Sequence, residues 1–114
     1  MERRQHIRIQ VPVVIEFVHP LTKQPERSFT QDISEAGLRF PTTAELAVGQ
    51  ELALTLQLAS PEARFYATGE VMWVREIARL GSAQYDVGVR FRWIEDPDRQ
   101  RLFRYLEEFP SRRL

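Results

Sequence analysis

Apolar and polar residues alternate along most of this chain, and this period of two restricts its fold more than any other feature. On the range 52–58, for example, every second residue is leucine, as on a strand with one buried face. Alternation or β-branched residues favour strands over six ranges: 8–18, 26–33, 38–40, 52–58, 64–77 and 85–91. Short polar links join these ranges, and six strands connected in this way predict a β-sandwich or a β-barrel.

The end of the chain changes to helical spacing. Asp96 is a residue type that caps helices, and Pro97 fits the first turn of one. Apolar residues then recur at helical intervals, at Leu102, Phe103, Leu106 and Phe109. Because Pro110 ends the run, we predict a helix over 96–109 that packs against the sheet.

The composition excludes several classes of function. The chain has no cysteine, so it forms no disulfide, zinc–thiolate site or thiol nucleophile. No stretch approaches the roughly 18–20 apolar residues of a membrane span, and no apolar segment follows the basic N-terminus as in a secretory signal. The formal net charge of zero argues against a general nucleic-acid binder. We expect a cytoplasmic protein with no nucleic-acid partner and no membrane insertion.

No catalytic pattern is present. The two histidines, His6 and His19, do not have the spacing of metal ligands. Ser34 lacks the glycine-flanked context of a nucleophilic serine. Phosphate-binding loops rich in glycine are also absent. We therefore predict that the chain is not an enzyme and that it holds neither a metal nor a cofactor.

Arginine accounts for all of the 16 basic residues except Lys23. The planar guanidinium fork suits phosphate and the edge of guanine better than an ammonium group does, although a GC-rich genome would produce the same bias. Arg4 and Arg8 form an Arg-x-x-x-Arg pattern near the N-terminus. Because Arg75 and Arg79 repeat this spacing, the pattern alone is close to chance.

A second pattern, Asp-x-Ser-x-x-Gly, is formed by Asp32, Ser34 and Gly37. Residues two apart on an extended chain point to one face, so this carboxylate and hydroxyl can meet one ligand. Gly37 permits a positive φ or a close backbone approach. Guanine fits, because its N7/O6 edge accepts from arginine while N1–H and the N2 amine donate to a carboxylate. A hairpin whose Asp and Ser bond to their own turn would explain the same residues.

The two patterns, in this order around a first strand, resemble the PilZ domain family of cyclic di-GMP receptors. The range 67–74 resembles the Gly-x-Val-x-Trp strand of that family, and the range 85–91 resembles its last barrel strand. The resemblance implies a single PilZ-like domain over 1–114. It would consist of a mobile arginine-rich arm (1–8), a six-stranded antiparallel Greek-key β-barrel (8–92) and the C-terminal helix.

The resemblance also implies the ligand, cyclic di-GMP, and the residues that bind it. Those residues are Arg3, Arg4, Arg8, Asp32, Ser34 and Gly37. Trp73 is a further candidate, which either touches the ligand or packs the barrel. Ligand binding would fold the arm over the barrel and so change the surface that a protein partner contacts.

Two other functions stay open. The domain could be a scaffold for a protein partner that does not depend on nucleotide. It could also bind single-stranded nucleic acid through aromatic side chains such as Phe65, Tyr66 and Trp73, although the zero net charge weakens this interpretation.

Overall fold

A computed structural model describes residues 13–58, 63–79 and 81–108, which form one antiparallel sheet of seven strands followed by a helix. The strands are β1 (Val14–Val18), β2 (Pro25–Phe29), β3 (Asp32–Ile33), β4 (Gly37–Thr42), β5 (Glu51–Leu58), β6 (Ala63–Arg79) and β7 (Ser82–Ile94). Helix α1 covers Asp96–Glu107. The order of strands across the sheet is β2-β1-β5-β6-β7-β4-β3, and the sheet curls into a half-barrel.

The mainly-β fold with a C-terminal helix is confirmed, but the predicted number of six strands was wrong. The range 26–33 contains two strands, because the chain changes its pairing partner after Phe29: β2 pairs with β1, whereas β3 pairs with β4. Buried Thr30 donates its N–H to the carbonyl of Val13, and its Oγ1 accepts the N–H of Val13. The next N–H, of Gln31, donates to Arg39 on β4. The two ends of the sheet are thereby joined; closure into a complete Greek-key barrel stays a prediction.

The core lies on the concave face of the sheet, where the alternating residues of β5 are buried as expected. Helix α1 covers it with Leu102, Tyr105 and Leu106, whereas Phe103 is exposed. The predicted cap, Asp96, is instead the first helical residue, and Glu95 precedes the helix without a side-chain capping bond. The expected end of the helix at residue 109 lies outside the described residues.

A β-bulge in β6 sets the direction of the side chains of Met72 and Trp73. Val71 pairs with Val89 on β7, but the next paired residue, Trp73, lies opposite Gly88. Met72 is therefore an extra residue on β6, and a bulge of this kind redirects neighbouring side chains. As a result Met72 and Trp73 are both exposed, although they are adjacent on a strand.

No helix in the described part of the chain is long and apolar enough to cross a membrane.

Candidate ligand-binding site

The predicted site residues fall into two groups. Three of them lie outside the described residues, together with the rest of the arginine-rich arm: Arg3, Arg4 and Arg8. Asp32, Ser34 and Gly37 lie on or between β3 and β4, and Trp73 lies on β6. Three of these four, Asp32, Gly37 and Trp73, line one groove of about 440 Å³.

The groove crosses the outer face of the sheet, where register aligns one residue from each of four strands. Trp73 on β6 lies opposite Gly88 on β7, which lies opposite Arg39 on β4, which lies opposite Asp32 on β3. Neighbours of these residues along β4 and β7 point the other way, into the core. The rest of the groove is lined by Ala36, Leu38, Met72, Val89 and Arg90.

Trp73 forms the wall of the groove on the β6 side. Its side chain is 40% exposed and lies on the outer face against Gly88, so it contributes to the groove and not to the core. An indole ring that is partly free on one face can stack on a planar base. Trp73 therefore does not pack in the barrel interior.

Ser34, unlike Asp32, does not line the groove. Its side chain is fully buried, and its Oγ accepts the N–H of Ala36 at 3.1 Å and lies 3.5 Å from the carbonyl of Gly37. The backbone N–H of Ser34 also donates to Gly37, at 2.8 Å. Ser34 therefore closes the β3–β4 turn, as the hairpin alternative expects.

Gly37 is required by a close approach and not by a positive φ. Its φ lies outside the left-handed region, where only Gly49 and Gly81 are found among the described glycines. A Cβ at position 37 would overlap the carbonyl oxygen of Val89 on β7. The start of β4 can pair with β7 only because residue 37 has no side chain.

The electrostatics of the groove depend on two residues that no sequence pattern identified, Arg39 and Asp86. Arg39 Nε lies 3.2 Å from Asp32 Oδ2, and Arg39 Nη1 lies 3.6 Å from Asp86 Oδ2. Arg75 Nη2 donates to the same Asp86 oxygen at 3.0 Å. Asp86 is only 2% exposed, so its charge is stabilised mainly by these two guanidinium groups.

Two further lining residues were not among the predicted site residues: Gly88, at the floor of the groove, and Arg90, at its end. Arg90 is exposed, and its Nη2 lies 3.7 Å from Glu70 Oε1. The alternation of the range 85–91 carried a usable signal, because it places residues 86, 88 and 90 on one face. Without the pairing of β7 with β4, however, that face has no assigned neighbour.

His19 is part of the scaffold. Its Nδ1 accepts the backbone N–H groups of Leu21 and Thr22 at 3.0 and 3.3 Å. Nε2 must then carry the ring proton, and it donates to the carbonyl of Glu45 at 2.8 Å. Both ring nitrogens are therefore engaged by loops, and no cluster of metal-ligating side chains occurs within residues 13–58, 63–79 and 81–108.

The aromatic residues considered for nucleic-acid stacking do not form one surface. Phe65 is fully buried in the core, so it is not available for the base stacking that this alternative requires. Tyr66 and Trp73 are exposed, but only Trp73 lines the groove.

Comparison with known proteins adds a family and a set of similar folds. The PilZ domain family model matches residues 2–108. No curated protein sequence matches the chain significantly.

Three similar solved structures have TM-scores of 0.73 to 0.76. The Bacillus subtilis inhibitor of motility MotI/DgrA is 19% identical (TM-score 0.73), with 92% of this chain covered and 50% of that one. The PilZ domain of YcgR from Escherichia coli with c-di-GMP is 16% identical, with a TM-score of 0.73. The match covers 96% of this chain and 93% of that one. MrkH in the K. pneumonia MrkH–c-di-GMP complex is 18% identical, with a TM-score of 0.76. The match covers 95% of this chain and 52% of that one. The chain thus spans about half the length of MotI/DgrA and MrkH, and identities this low show the fold alone.

Proposed function

The chain belongs to the PilZ domain family, and from this we propose that it is a receptor for cyclic di-GMP and not an enzyme. The observation that carries the proposal is the groove in which Asp32 faces Trp73 across β4 and β7. The YcgR domain and MrkH, which share the fold, are both described with c-di-GMP.

The chemistry of the groove suits a guanine base. The carboxylate of Asp32 would accept the N1–H and N2 amine of guanine, which are its only donors on that edge. The indole of Trp73 would stack on the base, and Arg90 would contact a phosphate. A volume of about 440 Å³ lies within the usual size range of small-molecule sites.

We assign the arginines of the N-terminal arm, Arg3, Arg4 and Arg8, to the ligand as well, with the arm (residues 1–8) changing conformation on binding. Ordering backbone costs roughly 1–2 kcal/mol per residue. Each bidentate arginine–guanine pair returns about 1–3 kcal/mol. Several such contacts must act together, so each of the three arginines should contribute to affinity. The rearranged arm and the covered groove would form a surface for a protein partner in the cytoplasm.

Calorimetric titration with cyclic di-GMP tests the receptor proposal. The expected result is binding of micromolar affinity or tighter, which Asp32→Ala and Arg8→Ala weaken strongly. Asp98→Ala and Arg101→Ala are matched controls, because they remove an exposed ion pair of α1 outside the groove. Absence of heat with protein at high micromolar concentration would rule the receptor out.

The other candidate is a PilZ-like scaffold that binds its protein partner without nucleotide. The turn-closing bonds of Ser34 favour it to the extent that they explain one motif residue without a ligand. A partner affinity that is the same with and without cyclic di-GMP, and in Asp32→Ala, would support this candidate.

A further inference from the structure

Arg39 lies between the carboxylates of two aspartates, one of which lines the groove. On one side it contacts Asp32, the proposed guanine acceptor, and on the other it contacts Asp86. Asp86 is held in turn by Arg75, whose guanidinium is largely exposed. The two aspartates therefore share one partly buried guanidinium.

The network of Asp32, Arg39, Asp86 and Arg75 leaves two polar atoms without a hydrogen bond. Among the described residues, two buried side-chain polar atoms have no hydrogen-bond partner, and both belong to this network: Arg39 Nε and Asp86 Oδ1. The N–H of Arg39 Nε lies near Asp32 but does not point at it with hydrogen-bond geometry. One unpaired atom is a donor and the other is an acceptor, and leaving either unpaired in a buried position is unfavourable.

The two unpaired atoms fit each other. A guanidinium and a carboxylate pair best through two parallel N–H···O bonds. The edge of the guanidinium that can form such a pair with Nε–H carries Nη2. Arg39 Nη1 is already 3.6 Å from Asp86 Oδ2, so the guanidinium is near enough for a rotation that turns this edge to Asp86 and directs Nε–H toward Oδ1. The same rotation would move Arg39 away from Asp32 Oδ2, so that another N–H donor could take its place.

We propose that Arg39 occupies the Asp32 carboxylate until guanine binds, and that Asp86 is a positioning residue that takes Arg39 over at that moment. The inference rests on the proposed function, because it names guanine as the group that replaces Arg39. Arg39 and guanine both offer N–H donors to Asp32, so they compete for it. Asp86 lowers the cost of that exchange because it pairs with the displaced guanidinium.

Calorimetry with cyclic di-GMP in a double-mutant cycle tests the role of Asp86. Asp86→Asn should weaken binding by about tenfold when Arg39 is present, but change it less than about twofold in an Arg39→Gln background. Asp98→Asn, which makes the same change in the Arg101 ion pair of α1, should leave the affinity unchanged. An equal effect of Asp86→Asn in both backgrounds, or no effect in either, would overturn the positioning role.

A second experiment needs no ligand. Asp32→Asn removes the charge that holds Arg39, so the Nε–H of Arg39 should pair with Asp86 and exchange with water about tenfold more slowly in ¹⁵N NMR. The signal is assigned by its loss in Arg39→Lys. The slowing should disappear in Asp32→Asn/Asp86→Asn, and unchanged exchange in Asp32→Asn would refute the transfer of Arg39. Slowed exchange without any cyclic di-GMP binding by the unmodified protein would refute the receptor alone.

Discussion

The indole ring of Trp73 on β6 lies directly against Gly88 on β7, and it leaves no room for a Cβ at position 88. A side chain at position 88 would overlap Cε2 and Nε1 of the indole. The bulge at Met72 turns Trp73 to this face, and the absence of a side chain at position 88 lets the ring lie on the sheet. The wall and floor of the groove therefore depend on one contact between β6 and β7.

Gly88→Ala should displace the indole and lower the free energy of unfolding by about 1–3 kcal/mol, as overpacking does elsewhere. In a Trp73→Ala background the obstacle is gone, and the same substitution should cost much less. Urea denaturation of the four proteins in this cycle measures the coupling. Equal costs of Gly88→Ala in both backgrounds would contradict the contact.

Gly37→Ala should destabilise the protein more than Gly69→Ala. At position 37 the obstacle is the backbone of Val89 and Arg90, which no rotamer change can move. At position 69 the nearest atom is Val89 Cγ1, 2.5 Å from where the added methyl group would lie, and the nearest backbone atom, the carbonyl oxygen of Arg90, is 3.1 Å away. We expect losses in unfolding free energy of about 3 kcal/mol and about 1 kcal/mol respectively, measured by urea denaturation. The reverse order would show that β4 tolerates a wider spacing from β7.

Arg39→Ala should lower the free energy of unfolding by about 2 kcal/mol, because both Asp32 and buried Asp86 lose the guanidinium that they share. Arg75→Ala should cost under about 1 kcal/mol, since Arg75 is largely exposed and screened by water. Thermal or urea denaturation distinguishes the two variants. A larger loss for Arg75→Ala would mean that Arg75 is the main partner of Asp86.

His19→Ala should lower the free energy of unfolding by about 2 kcal/mol, because the carbonyl of Glu45 and two loop N–H groups lose their partner. Thr22→Ala, in the same loop, removes one exposed bond to Gln24 and should cost less than about 0.5 kcal/mol. Chemical denaturation measures both. Similar small losses would show that the imidazole does not hold the two loops together.

Stability at alkaline pH should depend on Tyr105. Burial, and to a lesser extent the charge of Glu108, raises the pKa of Tyr105 above its ordinary value of 10.0. The unfolded chain therefore loses this phenolic proton at lower pH than the folded one. The free energy of unfolding should be insensitive to this group below pH 10 and fall as the pH rises through the folded pKa.

Urea denaturation at a series of pH values measures this slope, and Tyr105→Phe should reduce it. The comparison is best made in a Tyr85→Phe background, because burial and the charges of Glu45 and Glu76 also raise the pKa of Tyr85. An identical slope above pH 10 with and without the Tyr105 hydroxyl would contradict the prediction.

Much of the fold was predictable because the information was local. The alternating leucines of β5 identify a strand and its buried face without reference to the rest of the chain. The change to helical spacing after residue 95 similarly identifies α1. The Asp-x-Ser-x-x-Gly pattern located the β3–β4 turn, although it could not say that Ser34 bonds to the turn while Asp32 lines the groove.

The sequence by itself determined the mainly-β class with its C-terminal helix, the buried face of β5 and the family. Only the tertiary structure decided that 26–33 divides at Thr30, that Trp73 turns outward at a bulge, and that Arg39 meets Asp86. The physical reason is that these features depend on pairing register between strands far apart in the chain. Alternation fixes which face a residue occupies, but it carries no information about which strand lies beside it.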